Sequence, residues 1–292
     1  MLDSPGSRTG SETQVGLETP TCVSGYTTDF LICGMARSGT TLVAERLACH
    51  PDVWISRETH FFNMIGRYTA DVLEHGDFAD FEAGLRSMVT QYGCDISEDE
   101  LPLEALRAGW PFRNTTEAFF ALVRGLSDGS PVVGEKTPRH MEHVDQVLRE
   151  SATAKAVLCL RDPRAVYTSL TKVPWGSPEF DDFGDVWAAY AEEAHRLAQE
   201  YPARVRCLRY EDIVADVDAA LASTWEMLGL SAPTTVPDGA KTFSPENEPW
   251  KVGAAGPIQT RSLHAWKAEL GTMLGDALLE RIGASAGQFG YF

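Results

Sequence analysis

The stretch FLICGMARSGTTLVAERL, residues 30–47, predicts the fold of this chain. Its first four residues form a short apolar run that is typical of a buried strand. A loop bracketed by Gly34 and Gly39 follows, and then an apolar-periodic segment that predicts a helix. A strand, a glycine-bracketed loop and a helix N-terminus together form a common phosphate site, because their backbone N–H groups converge on the anion.

This loop has the spacing of a Walker A motif, G-x-x-x-x-G-K-[ST], with one departure. Thr40 stands where that motif has its lysine, and the cation of the loop, Arg37, comes three residues earlier. P-loop kinases need that lysine on the β- and γ-phosphates. The departure counts against a P-loop nucleotide or small-molecule kinase, which stays the alternative function. An ordinary strand–helix turn rich in small residues is a further interpretation of the pattern.

The loop resembles the 5′-phosphosulfate loop of the sulfotransferases that use 3′-phosphoadenosine 5′-phosphosulfate (PAPS). It is most similar to the branch with the tyrosylprotein-type and bacterial small-molecule enzymes, in which an arginine precedes Ser-Gly-Thr-Thr. The resemblance implies PAPS as co-substrate and no metal. It also implies that the loop binds the 5′ end of the nucleotide through Arg37, Ser38, Gly39, Thr40 and Thr41.

Composition restricts the partners of the chain. With 292 residues, 43% of them hydrophobic, the chain is long enough to bury a sizeable core. The formal net charge of −17 argues against a nucleic-acid partner. The six cysteines show no C-x-x-C pairing, which favours neither a zinc site nor a disulfide framework. No stretch of about 18 apolar residues and no signal-peptide pattern is present, so we expect a cytoplasmic protein without a membrane partner. The sequence does not predict the oligomeric state.

Strand patterns alternate with helix patterns along most of the chain. This order predicts an α/β fold, a P-loop-type doubly wound parallel sheet flanked by helices. The predicted strands are 30–33, 53–55, 132–135, 156–160 and 205–209. The predicted helices that follow the third strand are 141–150, 163–170, 183–200, 216–229, 262–273 and 276–282.

Four segments describe the predicted domain organisation. Residues 1–28, rich in Ser, Thr, Gly and Pro, are expected to form a disordered or loosely packed tail. Residues 29–292 are expected to form a single domain. Within it, 63–126 is predicted to be a helical insertion, and 233–261 is irregular and too long for a plain connector. The resemblance implies that this last segment covers the nucleotide.

Polar side chains stand at the ends of the predicted strands. In a parallel sheet these ends lie on one edge, where such sheets bind ligands, so we expect the side chains to converge on one crevice. The residues concerned are Arg37, Glu58, Lys136, Arg161 and Tyr210.

Three of the predicted site residues concern the chemical step. Glu58, just past the second strand, could accept the proton of an attacking hydroxyl, and the resemblance gives it the role of general base. His60 is the rival base, as the cytosolic sulfotransferases use a histidine. Lys136 lies in Gly-Glu-Lys-Thr-Pro, where the resembling family has a lysine near the transferring group. Lys136 and Arg37 would stabilise the sulfuryl oxygens and the leaving phosphate.

The remaining predicted residues concern the nucleotide. The run from Arg161 to Ser169 resembles the family's 3′-phosphate site, with an arginine ending a strand and a serine eight residues on. Tyr210 matches a tyrosine that touches the same nucleotide. The stretch 250–262 resembles the covering loop, which implies a contact from Arg261. Ala255 and Pro257 stand where tyrosylprotein enzymes have serines, and Lys251 or Arg261 could replace that contact.

These patterns together predict a sulfotransferase that moves a sulfuryl group from PAPS to a hydroxyl of a small-molecule acceptor, with Glu58 as base. The sequence does not identify the acceptor. A nucleotide-binding module without catalysis is a third interpretation, and the presence of Glu58 and Lys136 counts against it.

Overall fold

A computed structural model describes residues 28–91, 94–176, 178–233, 242–243, 245–246, 248–258 and 260–292. Five parallel strands form one sheet in the order β2-β3-β1-β4-β5. They are β1 (Thr28–Gly34), β2 (Val53–Ser56), β3 (Val132–Lys136), β4 (Lys155–Leu160) and β5 (Val205–Arg209). Because helices flank this sheet, the predicted α/β fold class is confirmed.

β1 occupies the centre of the sheet and all of its seven residues are buried. It pairs with β3 on one side and with β4 on the other, so the strand order reverses beside it. Open parallel sheets bind their ligands outside the carboxyl ends of the strands at such a reversal. The phosphate loop, which follows β1 directly, therefore lies at the position where a ligand is expected.

Thirteen helices belong to the described residues. They are α1 (Thr40–Leu47), α2 (Phe61–His75), α3 (Phe78–Gln91), α4 (Leu103–Gly109), α5 (Thr115–Leu126), α6 (Val144–Glu150), α7 (Pro163–Leu170), α8 (Phe180–Glu200), α9 (Tyr210–Ala215), α10 (Val217–Leu228), α11 (Ala265–Glu269), α12 (Thr272–Ile282) and α13 (Ala284–Gly287). Short 3₁₀ helices cover Glu98–Glu100, Pro138–His143, Pro249–Ala254 and Thr260–Leu263. No helix of these described ranges is long and apolar enough to cross a membrane.

Two apolar clusters cover the two faces of the sheet. The larger one joins the strands to α2, α3, α5 and α8, and the smaller one joins them to α1 and α10. Between β2 and β3 the chain forms helices α2 to α5, the segment for which the sequence predicts a helical insertion. Its Phe61, Phe62 and Phe119 rings pack against one another, with centroids 4.8–5.4 Å apart. This segment therefore continues the core of the sheet.

The structure moves several predicted boundaries. β1 begins at Thr28, so this residue belongs to the sheet and not to the predicted tail, whose other residues, 1–27, lie outside the described ones. Part of the predicted covering segment, 234–241, also lies outside them. The predicted helix over 262–273 is wrong: α11 ends at Glu269, and α12 begins after Gly271, whose φ of 81° breaks the helical path.

Candidate active site

A cavity of about 1410 Å³ opens at the carboxyl ends of the strands. Pockets for one small molecule measure roughly 300–1,000 Å³, so this one has room for two ligands side by side. Its walls come from the phosphate loop, from the segment after β2, from α7 and from residues 248–266. Predicted site residues that line it are Arg37, Gly39, Thr40, Thr41, Glu58, Arg161, Ser169 and Tyr210.

Both positions that bracket the phosphate loop require glycine, because neighbouring atoms leave no room for a Cβ. A Cβ on Gly34, at φ 144°, would lie 2.2 Å from the Cys159 carbonyl oxygen, and one on Gly39, at φ 96°, would lie 2.6 Å from the Tyr210 ring. Arg37 between them has a φ of 73°, a conformation that non-glycine residues adopt at an energetic cost. The glycines therefore allow the loop backbone to pack against β4 and the Tyr210 ring.

The start of α1 has the features of an anion site. Gly39 is its N-cap, and no side chain in the described ranges makes a capping hydrogen bond there. The Ser38 hydroxyl is buried and has no partner among the described residues. Unpaired donors at a helix N-terminus favour a bound anion, because the helix dipole adds to their attraction.

Glu58 lies at the centre of the site and is 9% exposed. One of its carboxylate oxygens, Oε1, contacts the ammonium groups of both Lys136 and Lys251. Burial by itself raises the pKa of this carboxyl, but the two ammonium groups outweigh burial and lower the pKa to about 2. Glu58 is therefore ionised at neutral pH.

The two lysines occupy different positions around this carboxylate. Lys136, at the end of β3, is 0% exposed and is not part of the cavity wall, so the structure places it behind Glu58. Lys251 lines the cavity and also contacts the Glu248 carboxylate. The sequence led us to expect Lys136 beside the transferring group. In the structure, Lys251 has the position that faces a ligand.

His60 lies on the other side of Glu58, with its Nε2 atom 3.4 Å from Glu58 Oε2. Its φ of 54° is a left-handed conformation that is uncommon for a histidine. Burial lowers the pKa of His60 below its usual value of 6.5, so the ring is neutral at pH 7. Both candidate bases therefore face the same space, one charged and one neutral.

At the end of the cavity beside the phosphate loop, two arginines are joined through that loop. Arg37 Nε donates to Ser169 Oγ at 3.0 Å and Arg161 Nη1 donates to the Arg37 carbonyl at 3.1 Å. The Arg161 guanidinium stacks 4.2 Å above the Tyr210 ring, and its Nε is buried without a partner among the described residues. Arg37, Arg161, Ser169 and Tyr210 are thus brought together, with Arg37 beside Ser169.

Two predicted nucleotide residues do not line this cavity. Ser38 is buried behind the phosphate loop, 1% exposed. Arg261 is exposed and does not belong to the cavity wall. The next residue, Ser262, lines the cavity, and its Oγ lies 2.8 Å from the Tyr210 hydroxyl. A one-residue offset of this kind is expected for a short 3₁₀ helix in an irregular segment, where no sequence periodicity indicates which side chain points inward.

Lys251 is the main residue whose place the sequence did not indicate. The sequence offers it only as a possible contact of the covering loop. Nothing in Trp250-Lys251-Val252 links it to a glutamate 193 positions earlier. Within the described ranges no three His, Cys, Asp or Glu side chains lie where they could hold a metal ion.

Comparison with known proteins shows what the whole chain is similar to. A family model described as "Sulfotransferase family" matches residues 29–234. The sulfotransferase domain from the Synechococcus PCC 7002 olefin synthase has a TM-score of 0.63 at 20% identity, over 91% of this chain and 94% of that chain. The sulfotransferase domain from the curacin biosynthetic pathway has a TM-score of 0.57 at 17% identity, over 91% and 98%. No curated protein matches the chain.

Proposed function

The chain belongs to the sulfotransferase family, and from this premise we propose that it transfers a sulfuryl group from PAPS to a hydroxyl of a small-molecule acceptor. One observation carries the proposal. A single cavity has the ionised Glu58 and Lys251 at one place, and at another it has Arg37 of the phosphate loop with Arg161, which donates to the Arg37 carbonyl. An acceptor and an anionic nucleotide can therefore be bound together.

The residues at the nucleotide end fit such a donor. The Arg161 Nε is a donor that lacks an acceptor among the described residues, and a phosphate oxygen would supply one. Arg161, Ser169 and Tyr210 would hold the 3′-phosphate end, and the backbone of the phosphate loop the 5′ end. The donor, when bound, supplies an activated sulfuryl group on a phosphate leaving group.

Glu58 accepts the proton of the acceptor hydroxyl in this proposal. It is ionised at every pH near neutrality, which a base requires, but its low pKa of about 2 makes it weak while both lysines contact it. An anion bound in the cavity attracts Lys251, which lies on the cavity wall, more than the sealed Lys136. Binding of the anionic donor thereby raises the basicity of Glu58.

The cavity favours an acceptor with an apolar body. Its wall includes Met64, Ile96, Leu170, Trp175 and Tyr190. Trp175, which is 52% exposed, lies edge-on to Trp250 with ring centroids 6.2 Å apart. Hydrophobic and aromatic walls with a few polar groups are typical of small-molecule sites. A hydroxylated compound with an aromatic or aliphatic skeleton fits this wall.

Binding of adenosine 3′,5′-bisphosphate, the nucleotide product, tests the donor. At 100 times its Kd a ligand stabilises the folded state by about 2.7 kcal/mol, so we expect the Tm in a thermal-shift assay to rise by several degrees. ATP with Mg²⁺ should raise the Tm much less, because Thr40 replaces the lysine that kinases use. A larger shift with Mg-ATP would instead identify a kinase. Sulfuryl transfer from labelled PAPS to a panel of hydroxylated compounds then tests the reaction.

Replacement of Lys251 tests the cation at the cavity wall. We expect Lys251→Met to lower kcat by about 10- to 100-fold, somewhat less than the loss of a sole electrostatic stabiliser, since Arg37 remains on the cavity wall. Lys155→Met is the matched control, because Lys155 begins β4, at the end of the strand away from the cavity, and donates a hydrogen bond to the Met227 carbonyl. Steady-state rates of both variants decide the matter, and equal rates would remove Lys251 from the mechanism.

A further inference from the structure

The N-terminus of α2 lies beside the chemical centre and is capped in an unusual way. Its N-cap residue is His60, whose side chain makes no capping hydrogen bond within the described ranges. That ring is directed at Glu58 instead, at 3.4 Å. A helix start has free N–H groups that must find acceptors when they are buried. Other side chains must therefore supply the acceptors that His60 does not.

Three side chains do so. The N–H groups of consecutive residues donate to them: His60 to Thr137 Oγ1 at 3.3 Å, Phe61 to Thr59 Oγ1 at 3.3 Å, and Phe62 to His140 Nε2 at 3.4 Å. Two of the three acceptors, Thr137 and His140, belong to the segment after β3, so this cap joins two strand ends.

Glu135 organises the three acceptors. Its Oε1 accepts from the Thr59 N–H at 3.1 Å, the Thr59 hydroxyl at 3.0 Å and the Thr137 hydroxyl at 2.5 Å. Its Oε2 lies 2.9 Å from His140 Nδ1. Because His140 Nε2 accepts the Phe62 N–H, Nδ1 carries the proton and donates it to Glu135. The carboxylate thus has four donors, about its full capacity.

Burial alone would raise the pKa of Glu135, which is 0% exposed, but the hydrogen bonds from His140, Thr137 and Thr59 lower it. The carboxylate is therefore held ionised and immobile inside the protein. A fully satisfied buried polar network of this kind is rigid, whereas one missing partner is costly.

The network is next to the reacting groups in sequence. Thr59 follows Glu58, and Glu135 and Thr137 are on either side of Lys136. In each segment, one residue thus belongs to the network, and its neighbour in sequence belongs to the group formed by Glu58, His60 and Lys136. A shift of the network would displace Glu58, His60 and Lys136 together.

We propose that Glu135 is a positioning residue for sulfuryl transfer: through Thr59, Thr137 and His140 it caps α2 in place of the His60 side chain, and it thereby holds Glu58 and His60 at the cavity and Lys136 behind Glu58. This inference rests on the proposed function. The network leaves the His60 ring free to face the cavity and fixes the strand ends that bear the charged pair.

Thr137 provides the most direct test, because Thr137→Val removes the hydroxyl and keeps the shape, whereas Thr137→Ser keeps the hydroxyl. We expect the valine variant to lose about 10- to 100-fold in kcat, since a displacement of about 1 Å at a reacting group costs this much. Its KM for PAPS should stay within about threefold, and the serine variant should keep most of kcat. Glu135→Gln should behave like the valine variant.

Asp29→Asn is the control for loss of a buried carboxylate. Asp29 is 5% exposed and pairs with Arg124 near the start of β1, at the end of the strand away from the cavity. Its loss should therefore lower the Tm and leave kcat unchanged. A valine variant with wild-type kcat, or one that changes only KM, would overturn the inference. So would a serine variant as impaired as the valine variant.

Hydrogen exchange, measured by NMR, tests the cap without any turnover. The His60 and Phe61 amides should exchange faster in Thr137→Val than in the wild-type protein, and at nearly the wild-type rate in Thr137→Ser. Equal exchange in all three proteins overturns the inference whatever the reaction is. If these amides respond as expected but the wild-type protein transfers no sulfuryl group to any acceptor, the proposed function fails and the claim of positioning for that reaction fails with it.

Discussion

We expect Glu58→Gln to lower kcat by about 10²–10⁴, the usual contribution of a general base, and to leave the affinity for adenosine 3′,5′-bisphosphate within about threefold. Glutamine keeps the size of the side chain and removes both its charge and its basic oxygen. The nucleotide affinity is spared because Arg161, Ser169 and Tyr210 make no hydrogen bond to Glu58 in the described part of the structure. Steady-state kinetics and isothermal titration with one responsive acceptor measure the two quantities.

His60→Asn is the matched control for Glu58→Gln. Asparagine tolerates the left-handed backbone that His60 adopts, so the variant tests the ring and not the strain of the loop. We expect its kcat to fall far less, because the neutral ring serves mainly as a neighbour of the Glu58 carboxylate. A dead His60→Asn together with an active Glu58→Gln would transfer the role of base to His60.

The pH dependence distinguishes the two bases as well. Glu58 has a folded-state pKa of about 2, below the ordinary 4.5, so it stays ionised through the working range. Its contribution to stability is present above pH 4.5 and is lost as the pH falls towards 2. An acidic limb of kcat/KM between about pH 4.5 and 6.5 that disappears in His60→Asn would contradict Glu58 as the base.

We expect Arg161→Ala to weaken the binding of adenosine 3′,5′-bisphosphate by about 2–4 kcal/mol, which is roughly a 30- to 1,000-fold rise in Kd. Arg161 has a buried Nε without a partner among the described residues, and its Nη groups hold the Arg37 and Ser262 carbonyls. Its loss therefore removes a direct donor and also loosens the phosphate loop. Arg161→Lys should recover little, because an ammonium group lacks the planar fork of a guanidinium.

Arg209→Ala is the control for this change. Arg209 also ends a strand and also stacks over a tyrosine, at 4.9 Å from the Tyr291 ring centre, but it does not line the cavity. Its replacement should cost some stability and change the Kd of the nucleotide by less than about twofold. Equal losses in affinity for Arg161→Ala and Arg209→Ala would show that the effect comes from the fold and not from a phosphate contact.

The five strands were predictable because each is a short apolar run with a helix pattern after it. The same rule predicted that Glu58 and Lys136 would meet, since both follow strands whose carboxyl ends share one edge. The helix predicted from the sequence pattern over 262–273 was wrong, because Gly271 interrupts an otherwise helical stretch. Propensity alone does not show whether a glycine is tolerated within a helix or ends it.

The rest of the site depends on contacts between residues that are distant in the chain and that no local pattern encodes. Lys251 reaches Glu58 from a 3₁₀ helix in an irregular segment, and its side-chain direction follows from tertiary packing. Glu135 was read only as part of a strand, because the sequence does not show that His140 turns back towards it. The position of Lys136 behind Glu58 likewise follows from burial, which a strand-end lysine does not reveal.

The arginines that hold the C-terminal segment over the cavity bind its main chain. Arg37 donates to the Trp250 carbonyl, Arg46 to the Gly256 carbonyl and Arg161 to the Ser262 carbonyl. Every amino acid has that carbonyl, so the segment can exchange side chains during evolution and still be anchored in the same place. This freedom accommodates Ala255 and Pro257 where tyrosylprotein enzymes have serines. The family match, which ends at residue 234, stops before this segment. Attachment through main-chain carbonyls leaves the side chains of this segment free to differ, apart from Lys251, whose ammonium group contacts the Glu58 carboxylate.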